Sequence, residues 1–169
     1  MSPGPSFDLL ETGRSVRGNN EAKIIRDEVA LPELSVADRA YLQELPLAIS
    51  LDDSLVVHGG VDPRKPLSEQ SPEDLVEMRS HECGGYDGPF WYEAYDGPMR
   101  VFFGHTVHRR PVETRWAVGL DTGCVYGGQL TAYDWRERRF VSVPGRLPEW
   151  SRPDDEIVTP RKPYAARHR

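Results

Sequence analysis

Apolar residues along the chain fall into short runs rather than long stripes, and two of these runs end alike. Val101, Phe102 and Phe103 lead into Gly104 and His105, and Leu55, Val56 and Val57 lead directly into His58, Gly59 and Gly60. Three apolar residues closed by glycine read as a short buried strand, and the glycine lets the backbone turn sharply enough to present an imidazole at the strand's end. A third element, Gly18-Asn19-Asn20-Glu21, follows Ser15-Val16-Arg17, read as a further strand. It precedes a helix expected over residues 20–28, with Ala22, Ile24 and Ile25 toward the core. The pattern predicts that all three elements lie along one edge of a sheet.

The remaining pattern supplies the frame. Phe7, Leu9, Leu10 and Glu11 before Gly13 read as the last turns of a helix with a glycine stop. Ser35 with Asp38 three residues on predicts a capped helix, with Ala40, Tyr41, Leu42 and Leu45 as its apolar stripe and Pro46 as its end. Ser71-Pro72-Glu73-Asp74 is a further helix start, combining a serine cap, proline at the first position and acids in the first turn. Residues 81–98, rich in glycine and carrying Phe90, Trp91, Tyr92 and Tyr95, read as a long surface loop and a candidate substrate wall. Residues 116–120, 129–133 and 139–143 read as an antiparallel meander. Residues 1–146 thus form a domain and 147–169 a proline-rich, charged, poorly ordered tail. The fold class is mixed, α+β or α/β.

Composition narrows the function. Of 169 residues, 38% are hydrophobic and 28% charged, and no run is long and apolar enough for a membrane span. A chain of this length can remove roughly two thirds of its extended surface from water, so a real core is expected. A net charge of −6 gives no reason to expect nonspecific nucleic-acid binding. Cys83 and Cys124 lack Cys-x-x-Cys spacing and read as free buried thiols. With no secretory signal visible, the expected location is cytoplasmic.

Gly-Asn-Asn-Glu, Val-Val-His-Gly-Gly and Phe-Gly-His-Thr, in this order, resemble the third, fourth and fifth motifs of the calcineurin-like metallophosphoesterases. The run Gly-Leu-Asp-Thr-Gly-Cys-Val-Tyr-Gly-Gly-Gln-Leu-Thr-Ala from Gly119 to Ala132 is similar to the phosphoprotein-phosphatase-type branch. That branch includes symmetrical diadenosine tetraphosphatases and the phosphatase module of bacterial polynucleotide kinase-phosphatases. The resemblance implies the C-terminal part of a four-layer αββα sandwich whose mixed sheet ends in an antiparallel meander. It also implies two divalent ions, Mn, Fe, Zn or Ni, about 3.5 to 4 Å apart, holding a hydroxide for attack on phosphorus. Asn19 and His58 match ligands of one metal and His105 a ligand of the other. The implied activity is hydrolysis of a phosphate ester or anhydride, with a phosphorylated small molecule, a nucleotide or a phosphoprotein as substrate.

Two departures qualify that implication. The family's Asp-x-His and Gly-Asp-x-x-Asp-Arg motifs, which bring its anionic ligands and a phosphate-binding arginine, do not occur in the sequence. The chain therefore reads as the C-terminal part of a longer phosphatase, with weak metal binding, weak or absent activity and an exposed sheet edge open to self-association. The alternative is a noncatalytic remnant serving as a binding or scaffolding module. Asn20, meanwhile, stands where the family carries its leaving-group histidine. Arg79 and Arg109 are candidate phosphate contacts, with Arg110 and Arg115 nearby, although a solvated strand end is the favoured explanation of such arginines. Asp121 is either a partner orienting a ligand histidine or a turn former. Trp91, Tyr92 and Tyr95 either stack on a nucleobase or pack the loop down. His81, His108 and His168 read as surface residues.

Overall fold

The computed structural model describes residues 13–26, 28, 31–82, 85–86 and 88–147. The expected helix end at residues 7–12, Cys83 and the tail at 148–169 lie outside the described residues. Four α-helices are present among them: α1 (Asn19–Ile25), α2 (Val36–Glu44), α3 (Pro72–Glu77) and the single turn α4 (Trp91–Ala94). Local chemistry sets their starts. Ser35 Oγ accepts the Asp38 N–H at 3.1 Å while the Asp38 carboxylate accepts the Ser35 N–H at 2.9 Å, and Ser71 and Asp74 repeat the box at α3. No helix among the described residues is long and apolar enough to cross a membrane.

The strands are β1 (Ala48–Leu51), β2 (Ser54–Val57), β3 (Arg100–Phe103), β4 (Val112–Glu113), β5 (Ala117–Gly119), β6 (Asp121–Thr122), β7 (Gln129–Asp134) and β8 (Arg139–Pro144). Five make one mixed sheet in the order β1-β2-β3-β5-β4, in which β2, β3 and β5 run parallel. The other three form an antiparallel sheet, β6-β7-β8. The mixed α/β expectation holds. The meander is smaller than the sequence pattern implied, since residues 117–119 join the parallel strands instead. Their buried, non-alternating Ala-Val-Gly suits a strand covered on both faces.

Alternation along β2 and β3 divides the interior. Leu55, Val57, Val101 and Phe103 point into one core with Phe90, Trp91, Tyr92 and Tyr95. Phe102 points the other way, where it meets Tyr133 and Trp135 of the second sheet at ring distances of 5.4 and 5.7 Å. The supposed surface loop is therefore core: Trp91 is fully buried and Tyr92 nearly so. The aromatic residues pack the loop down, as one of their two readings had it, but one helical turn is too short to show a period, so the turn at residues 91–94 was not expected. This also removes them as base-stacking groups.

Further expectations are corrected. Residues 15–17 form no strand; Arg17 N–H reaches the Pro46 carbonyl at 2.8 Å instead. The stripe on α2 is only half-buried: Leu42 and Leu45 are partly covered, Ala40 and Tyr41 are exposed, and Arg39 donates to the Ile24 carbonyl of α1 at 3.1 Å. His108 is 1% exposed, and His81 is half-buried. Cys124 is a free thiol, half-buried rather than buried.

Candidate functional site

Parallel neighbours in a sheet end side by side, and that alone brings two distant histidines together. His58 follows the last residue of β2 and His105 lies two residues beyond β3, so their rings stand 5.0 Å apart at 54°. The Gly104 N–H donates to the His58 carbonyl at 2.9 Å, tying the two strand ends. His105 itself adopts φ +64°, a left-handed backbone that L-residues rarely take. Gly59 and Gly60 are required by close approach. A Cβ on the first would lie 2.7 Å from the backbone of Val76 in α3, and one on the second 2.3 Å from the indole nitrogen of Trp91.

The carboxamide arrives from α1. Asn19 Oδ1 accepts from His58 Nε2 at 2.9 Å. From beyond α3, Arg79 Nη2 lies 3.4 Å from His105 Nδ1, with its guanidinium 4.8 Å over the Tyr86 ring. Asn19, His58, His105 and Arg79 thus form one continuous group. Asn20 is exposed at the start of α1. Asp121 lines a cavity of about 380 Å³ with both histidines, and its Oδ1 accepts the Gly123 N–H at 3.0 Å, a turn-forming contact. Arg109 is exposed and does not line that cavity.

Electrostatics keep both rings neutral. Burial, joined by the Arg79 cation and His58, pushes His105 down to about 3 against a smaller opposing pull from the Glu77 carbonyl. Burial also lowers His58, partly offset by the carboxylates of Glu21, Asp121 and Glu77. Neutral imidazole is the form that ligates metal. His105 Nε2 is buried without a hydrogen-bond partner, as an unused ligand nitrogen would be. These donors fit as neutral members of a metal-binding set. They do not complete one, for no group of three or more His, Cys, Asp or Glu among the described residues is placed to hold a metal.

Sequence reasoning missed His108. Its Nε2 bonds to Tyr92 Oη at 3.0 Å, and its backbone N–H donates to the Asp121 carbonyl at 2.9 Å. It therefore anchors the loop that carries His105 onto the aromatic core. Only its spacing, three residues past a histidine at a strand end, hinted at this.

No protein-family model matches the chain. Over 134 residues, 70% of the chain, it is 40% identical to the asymmetrical bis(5'-nucleosyl)-tetraphosphatase PrpE of Bacillus velezensis, the match taking in 54% of that protein. The corresponding protein of Halalkalibacterium halodurans is 47% identical over 58 residues, 34% of the chain and 24% of the relative. The chain thus spans at most about half the length of these curated relatives. Among solved structures, a crystal structure provisionally described as a diadenosine tetraphosphatase superposes with a TM-score of 0.70 and 30% identity, covering 81% of the chain and 71% of that structure. Fold and edge together define an α/β protein of the metallophosphoesterase type. More closely, the chain belongs to the calcineurin-like metallophosphoesterase superfamily, in its phosphoprotein-phosphatase branch.

Proposed function

We propose that the edge formed by Asn19, His58, His105 and Arg79 is part of a metal-dependent phosphoesterase site for a nucleotide phosphoanhydride of the dinucleoside polyphosphate class. The convergence of these four groups, from four separate stretches of sequence, carries the reading. The names of the relatives support the substrate class. Asn19, His58 and His105 would serve as ligands, and divalent ions, manganese first among those to test, would supply electrophilic assistance to the phosphoryl group. Arg79 is placed to neutralise and orient a phosphate oxygen, which a guanidinium does with a fixed fork of donors. Asn20, at the position of the family's leaving-group histidine, holds no titrating proton, so leaving-group departure loses a factor of about 10² to 10⁴.

The donor set is neutral, so manganese binding is expected to be weak. The test is turnover of diadenosine tetraphosphate with manganese, with a generic aryl phosphate alongside. Slow hydrolysis abolished in His58→Ala and His105→Ala supports the reading. Complete inactivity of the folded chain with manganese replaces it with a noncatalytic binding module, the alternative favoured by the lack of a metal-holding His, Cys, Asp or Glu group among the described residues.

The apolar outer face of the second sheet supports self-association. Leu130, Ala132, Val141 and Val143 share that face, and the three larger ones are 45–61% exposed. Size-exclusion chromatography should show concentration-dependent association that Val141→Lys reduces; a monodisperse monomer at all concentrations defeats the idea.

A further inference from the structure

A second cavity, of about 520 Å³, opens at the other end of the same strands and is walled by Arg100, Arg115, Trp116, Tyr133, Trp135 and Arg138. Ser54 and Arg100 begin β2 and β3, whereas the histidines follow their ends. At about 3.3 Å per residue the two sites are roughly 10 Å or more apart.

The cations differ in availability. Arg100 is committed, pairing with Glu113 and lying 5.9 and 5.4 Å from the Phe102 and Tyr133 ring centres. Arg115 and Arg138 are exposed, and neither has a carboxylate partner among the described residues. Arg115 lies 5.0 Å above the Trp116 ring. The lone acid on the wall, Asp53, accepts from the Ser54 hydroxyl at 3.0 Å. Trp135 stacks against Phe102, near-parallel at 8°, and remains 42% exposed. A positive, aromatic-walled concavity is thus built into a chain whose net charge is −6. A solvated hairpin end would not require a 42% exposed indole beside two guanidiniums that have no carboxylate partner among the described residues.

We propose that this cavity binds a mononucleotide, its base stacked on Trp135 and its phosphate held by Arg115 and Arg138. Aromatic faces accept any base plane, and guanidinium forks match phosphate oxygens. The site uses none of Asn19, His58, His105 or Arg79, so it stands independently of hydrolysis at the other edge.

The test titrates the full chain with adenosine 5'-monophosphate, following tryptophan fluorescence. Saturable quenching is expected, weakened by about tenfold or more in the double variant Arg115→Ala, Arg138→Ala. Arg138→Glu should weaken it alone, and both arginines are exposed, so neither change touches the core. Adenosine or inorganic phosphate should bind more weakly than the nucleotide. Absence of saturable quenching at millimolar nucleotide overturns the proposal, as does equal binding of phosphate alone. Binding that survives the double substitution but disappears in Arg79→Ala overturns it too, because the nucleotide then sits at the imidazole edge.

Discussion

A histidine at φ +64° carries a backbone cost that glycine would not, on the order of 1 kcal/mol. If the surrounding loop imposes that conformation, His105→Gly should be more stable than His105→Ala by about 1 kcal/mol in urea unfolding. Equal stability of the two variants would show that the backbone relaxes. Gly60 makes the opposite case, since its Cα faces the Trp91 indole with no room for a methyl group. Gly60→Ala should cost about 2 kcal/mol, as overpacked cores do, with the tryptophan environment reporting the shift in near-ultraviolet circular dichroism. The second glycine after His58 was visible in sequence, but its purpose was not. Nothing local says that an indole 31 positions later will press against it.

At the scale of elements, the short turn α4 holds the loop after β3. Tyr92 and His108 bond across the core at 3.0 Å, while His108 Nδ1 has no partner. Tyr92→Phe would leave His108 Nε2 unsatisfied in a buried site, a penalty of about 1–3 kcal/mol. Thermal unfolding should register that loss, and the His105 imidazole resonances should broaden as its loop is released. Unchanged His105 signals would confine Tyr92 to a packing role. Strand ends and helix caps were readable because their determinants sit within four residues of each other, as at Ser35 and Asp38. The helical turn at residues 91–94 was not, because four consecutive helical residues leave no periodic trace, whereas packing of Trp91, Tyr92 and Tyr95 was one of the two readings that their sequence offered.

For the whole molecule, the buried histidines couple stability to acid. Burial pushes His108 down to about 4, below the unfolded value of about 6.5, and His58 and His105 are lowered as well. Above about pH 6.5 both states are neutral at these sites and their full contribution is present. As pH falls toward 4 the unfolded chain takes up protons first, so stability declines, by about 3 kcal/mol from His108 alone. Urea midpoints measured between pH 7 and pH 4 should show this fall. His108→Leu should be less stable at neutral pH but flatter with acid; an unchanged slope would remove His108 from the account.

Short-range order in the chain determined the capped helices, the runs that deliver His58 and His105, and the lineage that Gly-Asn-Asn-Glu and its companion motifs mark. These depend on neighbours in sequence, where propensity and spacing act directly. Tertiary structure alone decided that β2 and β3 lie parallel and adjacent, that Arg79 reaches the His105 ring, that His108 is core, and that Arg115 and Arg138 share a cavity with Trp135. Each of those results from packing between segments tens of residues apart, and the free energy that selects it is burial of surface whose partner no local pattern names.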